Sequence, residues 1–268
     1  MVLLALRIIE ERSEATMNRL TFRQRNFLVK VPLFRSIRYF IVDYSEFVSS
    51  RKFRVLKQVI GRNCIENVVD VGANIGQFGL EMRRMGFRGN LYSYEPVTDS
   101  FDLLVKTANS YKRWSCFKFA LGNRDGQSKI GVSRNFGLSS SILRILSSHT
   151  DHSPNSEFIK HEDIQVTTLD REIARLGIPP ETTLFKIDVQ GFELEVLLGA
   201  LANVNRMAVL LIEVSLVELY ENSPTLNEIL SFFEEHSSHQ IINIFRSFSK
   251  QNGDLLQIDI LLELAKDS

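Results

Sequence analysis

From Asn67 onward, short apolar runs alternate with stretches of helical period, and this alternation leaves few folds open. NVVDVG, NLYSYEP, TTLFKIDVQG and RMAVLLIEVS read as strands. GQFGLEMRRMG, VTDSFDLLVKTAN, REIARLG, FELEVLLGA and PTLNEILSFFEEHS read as helices. Strands alternating with helices pair in parallel, because each crossover lays its helix on a face of the sheet. A strand covered on both faces has no need of in–out alternation, and AVLLIEV has none. The end of the chain differs. HQIINIFRSF and LLQIDILLEL flank KQNGD, a hairpin signal, so an antiparallel pair closes the sheet. The expected class is α/β, a doubly wound and mostly parallel sheet. WSCFKFALG reads as its third strand, QSKIGVS as a short extra one, and IQVTTLDREIARLG as a strand running into a helix. Phe136 to Glu162, rich in turn formers, reads as a long loop and a candidate lid.

Composition narrows the function classes. At 268 residues, with 44% hydrophobic and 24% charged residues and 19 Phe, the chain can bury a sizeable core and is no disordered segment. Its two cysteines, Cys64 and Cys116, offer neither a disulfide framework nor a zinc pattern, and no metal is expected. No apolar run reaches the length of a membrane span, and MVLLAL is too short for a secretion signal. A cytoplasmic protein is expected, with Met17 a second candidate start.

Charge is divided along the chain. Residues 1–60 carry 12 Lys and Arg against 5 Asp and Glu, whereas the rest carry 20 against 27. The expected organisation is a helical extension over 1–63 and a catalytic-type domain over 64–268. An acidic body argues against a nucleic-acid partner. In the extension, Arg19, Arg23, Arg25, Arg35 and Arg38 mix with Phe22, Phe27, Phe34, Tyr39 and Phe40. Such helices suit either a weak contact with an anionic membrane surface or a cover for the body. Oligomeric state is not legible.

Two motifs carry chemistry. Asp70-Val71-Gly72-Ala73-Asn74-Ile75-Gly76 joins the first strand to the first helix. Its glycines allow a tight turn and close approach of a ligand to the backbone, and Asp70 can accept from a cationic amino group. The spacing is not that of the dinucleotide fingerprint, and no phosphate-loop Gly-Lys-Ser/Thr is present. Glu95 ends the second strand, where a carboxylate can hold both hydroxyls of a ribose. Alone, each also reads as a plain turn or a surface glutamate.

VVDVGANIGQFGL, LYSYEP, FALGN, NFGLSSS, VTTLD, LFKIDVQGFELEVLLGA and LLIEVS, in this order, resemble the FkbM-type methyltransferases over about residues 64–262. The resemblance implies a seven-stranded, Rossmann-like class I methyltransferase sheet and S-adenosylmethionine as cofactor. It implies that Asp70, Gly72, Ala73, Asn74 and Gly76 line the methionine and ribose part. Glu95, with Pro96 after it, would hold the ribose, and Ala120, Leu121 and Gly122 would flank the adenine. Asp259-Ile260-Leu261-Leu262 keeps the family's closing Asp and lacks its aromatic residue. The implied reaction is methylation of a hydroxyl on a small-molecule or glycan acceptor.

A sulfonium methyl is already activated, so the protein mainly aligns the attacking oxygen, and a positioned base adds about 10²–10⁴-fold. The catalytic candidates are Lys186, Asp188, Glu193 and Glu213. Lys186 and Asp188 share one side of a strand; Asp188 and Glu213 meet if their strands are neighbours. A Lys186–Asp188 pair also suits a purely structural role. The same residues suit N-methylation, or a cofactor-binding protein without turnover whose head docks a partner. His149, His152 and His161 read as solvated loop residues, and Ser139, Ser140 and Ser141 as ligand contacts or turn caps.

Overall fold

The computed structural model describes residues 51–265 apart from 136 and 251. The chain divides into two units, Met1–Phe53 and Arg54–Ser268. The expected helices before residue 51, their arginine–aromatic mixture and Met17 lie outside the described residues.

Helix α1 (Arg51–Arg62) buries Leu56 and Val59 and leads into strand β1 (Asn67–Val71). There follow α2 (Gln77–Arg84), β2 (Asn90–Tyr94), α3 (Thr98–Ala108), β3 (Trp114–Phe117), β4 (Ala120–Leu121) and β5 (Gly126–Ser133). After a short helix α4 (Ser147–Thr150) come β6 (Phe158–Thr167), α5 (Leu169–Leu176), β7 (Thr183–Ile187), α6 (Glu193–Leu198) and β8 (Val209–Ser215). Helix α7 (Leu226–His236) precedes the hairpin β9 (His239–Ser249) and β10 (Leu255–Leu264). Thr225 and Glu228 form a reciprocal capping box at the start of α7.

Seven strands form one mixed sheet in the order β3-β2-β1-β7-β8-β10-β9. Pairs along β3-β2-β1-β7-β8 are parallel, and β10 is antiparallel to both β8 and β9. The expected hairpin therefore inserts its second strand between β8 and β9. On one face, Val69, Val71, Phe185, Ile187, Leu210 and Ile212 pack against Leu169 and Ile173 of α5, Val196 of α6, and Phe232 and Phe233 of α7. The alternate positions Val68, Leu184 and Leu211 are buried as well. A sheet covered on both sides explains the unbroken apolar runs.

The expected third strand is two strands. β3 ends at Phe117, and β4 belongs to a second, three-stranded sheet of order β4-β6-β5. There Ala120 and Leu121 pair with Val166 and Thr167. β6 starts at Phe158, so the last part of the expected lid is strand. Its second half falls in the expected strand IQVTT; the first half has charged outward positions, with ion pairs Lys129–Asp163 and Lys160–Asp99, so no apolar run marks it. Among the described residues no helix is long and apolar enough to cross a membrane.

Candidate functional site at the carboxyl edge of the large sheet

Chain direction across the sheet reverses between β1 and β7. From β1 the chain proceeds to β2 and β3 on one side, and from β7 to β8 on the other. Open α/β sheets bind ligands in the crevice at such a point, beyond the carboxyl ends of the strands. The loops flanking it are Gly72–Gly76, from the first motif, and Asp188–Phe192, from LFKIDVQGFELEVLLGA. They touch at Gly72, whose φ is +77° and where a Cβ would lie 1.9 Å from the Asp188 carbonyl oxygen. Only glycine lets the two loops close to this distance.

The first loop is tied to the end of β2. The Gly72 and Ala73 N–H groups both donate to the Tyr94 carbonyl, at 3.1 and 3.0 Å. Asn74, with φ of 47°, donates its N–H to Glu95 Oε2 at 2.8 Å. The Val97 N–H donates to Glu95 Oε1 at 2.8 Å. Glu95 is thus an inward-turned buried group, and burial pushes its carboxyl up to about 7 against the pull of these N–H donors. Pro96 beside it is half-buried.

Register places charged side chains at the sheet's carboxyl edge. Asp70 stands opposite Lys186, and Glu213 opposite Asp259. Lys186 Nζ lies 3.1 Å from Asp70 Oδ1, 3.1 Å from the Gly72 carbonyl and 3.4 Å from Asp188 Oδ2. Asp70 is wholly buried and forms an ion pair with Lys186. Burial alone would lower the Lys186 pKa, but Asp188 and Asp70 beside it hold the ammonium well above its ordinary range. The Asp188 side chain keeps 29% of its surface exposed and faces the edge.

Strands β7 and β8 are neighbours, and Asp188 and Glu213 do meet, through Gln190. Its Nε2 donates to Asp188 Oδ1 and to Glu213 Oε2, both at 2.8 Å. Glu213 also accepts from Ser247 Oγ at 2.5 Å and Gln257 Nε2 at 2.9 Å. Burial, then Asp188 and Asp259 nearby, raise the Glu213 carboxyl well above its usual range. Glu193 turns the other way. It accepts from the Val189 N–H at 3.0 Å and the Gly191 N–H at 3.1 Å, and burial pushes it up to about 7. Its carboxylate holds its own loop.

The serine segment forms a knot. Ser133 Oγ accepts from the Ser139 N–H, and Ser140 Oγ accepts from the Ser133 N–H, both at 3.1 Å. Ser141 Oγ donates to the Gln190 carbonyl at 2.6 Å. Tyr220 O–H donates to Gln190 Oε1 at 2.8 Å, with the Ser139 carbonyl at 3.2 Å. Gly122, after β4, lies against the Phe192 ring, and Ala120 and Leu121 before it are buried and paired with β6 of the second sheet. His152 and His161 are exposed as expected, but His149 is not. It is buried edge-on to Tyr220 and beside Phe248, and burial drives its pKa down to about 4. Three aromatic rings meeting under the loop outweigh its polar composition.

Gln190 and Tyr220 were not marked by the sequence. Gln190 lay inside LFKIDVQGFELEVLLGA, at the end of an expected strand, and was not singled out. LVELYEN carries no motif at all. Among the described residues no group of three or more His, Cys, Asp and Glu could hold a metal ion.

The family model described as the methyltransferase FkbM domain matches residues 70–239, which run from Asp70 in β1 to the start of β9. No curated protein sequence matches the chain. Solved structures with similar chain paths include magnesium protoporphyrin IX methyltransferase from Synechocystis PCC 6803 with bound S-adenosylmethionine. It is 8% identical at a TM-score of 0.46, over 92% of this chain and 93% of that one. A methyltransferase from Aquifex aeolicus is 11% identical at 0.41, over 82% and 93%. An rRNA methylase from Streptococcus thermophilus is 10% identical at 0.43, over 81% and 98%. The family model spans well over half of the sequence and takes in both loops of the cleft, and the chain belongs to the FkbM methyltransferase family.

Proposed function

We propose that the chain transfers a methyl group from S-adenosylmethionine to a hydroxyl oxygen on a glycan or small polar metabolite, in the crevice between the Gly72–Gly76 and Asp188–Phe192 loops. The observation that carries this reading is the match of the family to a cleft at the point where strand order reverses. The cofactor supplies an activated methyl on a cationic sulfonium. The residues present suit it. Gly72 brings the backbone close, Glu95 is fixed at the end of β2, and the cleft is flanked by carboxylates with Lys186 buried behind them. In this reading Asp70, Gly72, Ala73, Asn74, Gly76, Glu95 and Pro96 form the cofactor side, with Ala120 and Leu121 toward the base. Asp188 faces the acceptor and receives its proton, while Lys186, Glu193 and Glu213 hold Asp188 and its loop in place.

Two measurements test the cofactor. S-adenosylmethionine at 100 times its dissociation constant stabilises the protein by about 2.7 kcal/mol, which is several degrees in melting temperature. NAD leaves it unchanged; the reverse pattern removes the methyltransferase reading. At pH 8, where Glu95 is ionised, Glu95→Ala weakens cofactor binding by about 1.5–3 kcal/mol in calorimetric titration, because a charged acceptor is lost. A folded variant with unchanged affinity returns Glu95 to a purely structural role.

The acceptor is tested by transfer of labelled methyl into a cell extract and identification of the product. An O-methylated product is expected. Label on nitrogen moves the acceptor class, and cofactor binding with no labelled product favours a protein without turnover.

A further inference from the structure

Gln190 occupies a costly position. Its φ is 57°, a left-handed conformation, and Gly191 after it is also left-handed at 97°. Non-glycine residues held in this region gather at functional sites, where the surroundings over-determine them. A glycine would take the backbone of residue 190 without steric cost. What glutamine adds is its amide, and every part of that amide is engaged. One N–H goes to Asp188 and one to Glu213, on neighbouring strands, while Oε1 accepts from the Tyr220 hydroxyl. Asp188 is ion-paired with Lys186 and only accepts, so its contact fixes which end of the amide is nitrogen. The backbone carbonyl of the same residue accepts from Ser141.

We propose that Gln190 is a positioning residue for the acceptor side of the cleft: its amide clamps Asp188 to Glu213 and joins both to the Ser139–Ser141 segment through Tyr220. The proposal rests on the methyltransferase reading above. Without the clamp, two carboxylates on adjacent strands lose their shared donor and Asp188 loses the contact that sets its angle. Lys186 remains on the other oxygen of Asp188, so the side chain stays but turns. A misplacement of about 1 Å costs an aligned reaction about 100-fold. Gln190 lies outside the residues proposed for the cofactor, so the clamp acts on transfer and not on cofactor affinity.

The test compares wild type with Gln190→Met, which keeps length and removes both donors, and with Gln190→Glu, which keeps shape. In wild type without ligand, the Gln190 side-chain amide protons exchange far more slowly than those of the exposed Gln127. Exchange as fast as that of Gln127 overturns the clamp. In Gln190→Met, S-adenosylmethionine binds within about threefold of wild type, while methyl transfer into extract at saturating cofactor falls about 100-fold. In Gln190→Glu the side chain donates only when protonated, so transfer relative to wild type recovers as pH falls from 8 to 6. A merely structural glutamine would not give that slope. If Gln190→Met fails to fold, the pH slope of Gln190→Glu and the wild-type exchange rates still decide. Wild-type protein that binds no S-adenosylmethionine overturns the methyltransferase reading and the role built on it. Wild-type transfer matched by both variants at every pH overturns the clamp alone.

Discussion

In Lys186→Met the melting temperature falls by about 10 °C, from a loss of roughly 3–5 kcal/mol at about 2–4 °C per kcal/mol for a unit of this size. The ammonium is the cation between Asp70, which has no exposed surface, and Asp188, and it also donates to the Gly72 carbonyl. Removing one partner of a buried pair strands the other charge in a medium that solvates it poorly. Lys186→Met combined with Asp70→Asn recovers a large part of the loss, because the stranded charge is gone. A double-mutant cycle by calorimetry measures the coupling. The sign with pH is fixed as well. A lysine whose folded pKa is raised contributes stability that is fully present below its unfolded value, about 10.4, and is lost as pH rises above it. The Lys186 contribution is therefore constant through neutral pH. A fall below about 1 kcal/mol in Lys186→Met would mean a pair screened like one on the surface.

The same pair shows what a sequence can carry. Lys186 and Asp188 sit two apart on a strand, so a shared side follows from strand geometry alone. That Asp70 stands opposite Lys186 follows from the register of β1 with β7, two strands more than a hundred residues apart, and no local pattern encodes it. The large sheet was legible because both of its faces are buried and its runs are unbroken. The hairpin was legible from KQNGD, but not the insertion of β10 beside β8, since turn chemistry does not say which strand of a hairpin meets the sheet. QSKIGVS and IQVTT read as strands, but that they pair with β4 in a second sheet was hidden. Its strands β5 and β6 carry Lys129, Lys160 and Asp163 outward, and β4 is two residues long and continuous in sequence with β3. Glu193 stood out as an acid beside a motif, but whether it faces the cleft or caps its own loop depends on where the Val189 and Gly191 N–H groups point. His149 looked solvated because its sequence neighbours are polar; its spatial neighbours, Tyr220 and Phe248, are 71 and 99 residues away. The two loops of the proposed cleft thus stood out through their glycines and acids, and the groups that orient them did not.

Stability toward urea declines as pH rises from about 5 to 7.5, opposite to a protein held together by ionised carboxylates. Glu95 and Glu193 are both pushed up from about 4.5 to about 7 by burial. Between those values the folded protein keeps protons that the unfolded chain has released, so stability falls with pH by about 1.4 kcal/mol per unit for each group. Burial drives His149 the other way, to about 4, and between pH 4 and 6.5 its neutral folded form makes stability rise by a similar slope. Glu81, also raised by burial to about 7, adds to the fall, and His239, lowered by burial, opposes it alongside His149, so the carboxyls leave a net fall that steepens once the imidazoles no longer oppose it. Glu213, raised in the same direction, adds to the fall. Glu193→Gln isolates one contribution. The amide cannot ionise, and its oxygen still accepts from the loop N–H groups that Glu193 holds. Relative to wild type, the variant therefore gains about 1.4 kcal/mol per unit as pH rises from 5 to 7, and the difference stays level beyond. Urea titrations at half-unit steps of pH read this directly. A difference independent of pH would mean that Glu193 is ionised throughout, with its N–H donors outweighing its burial.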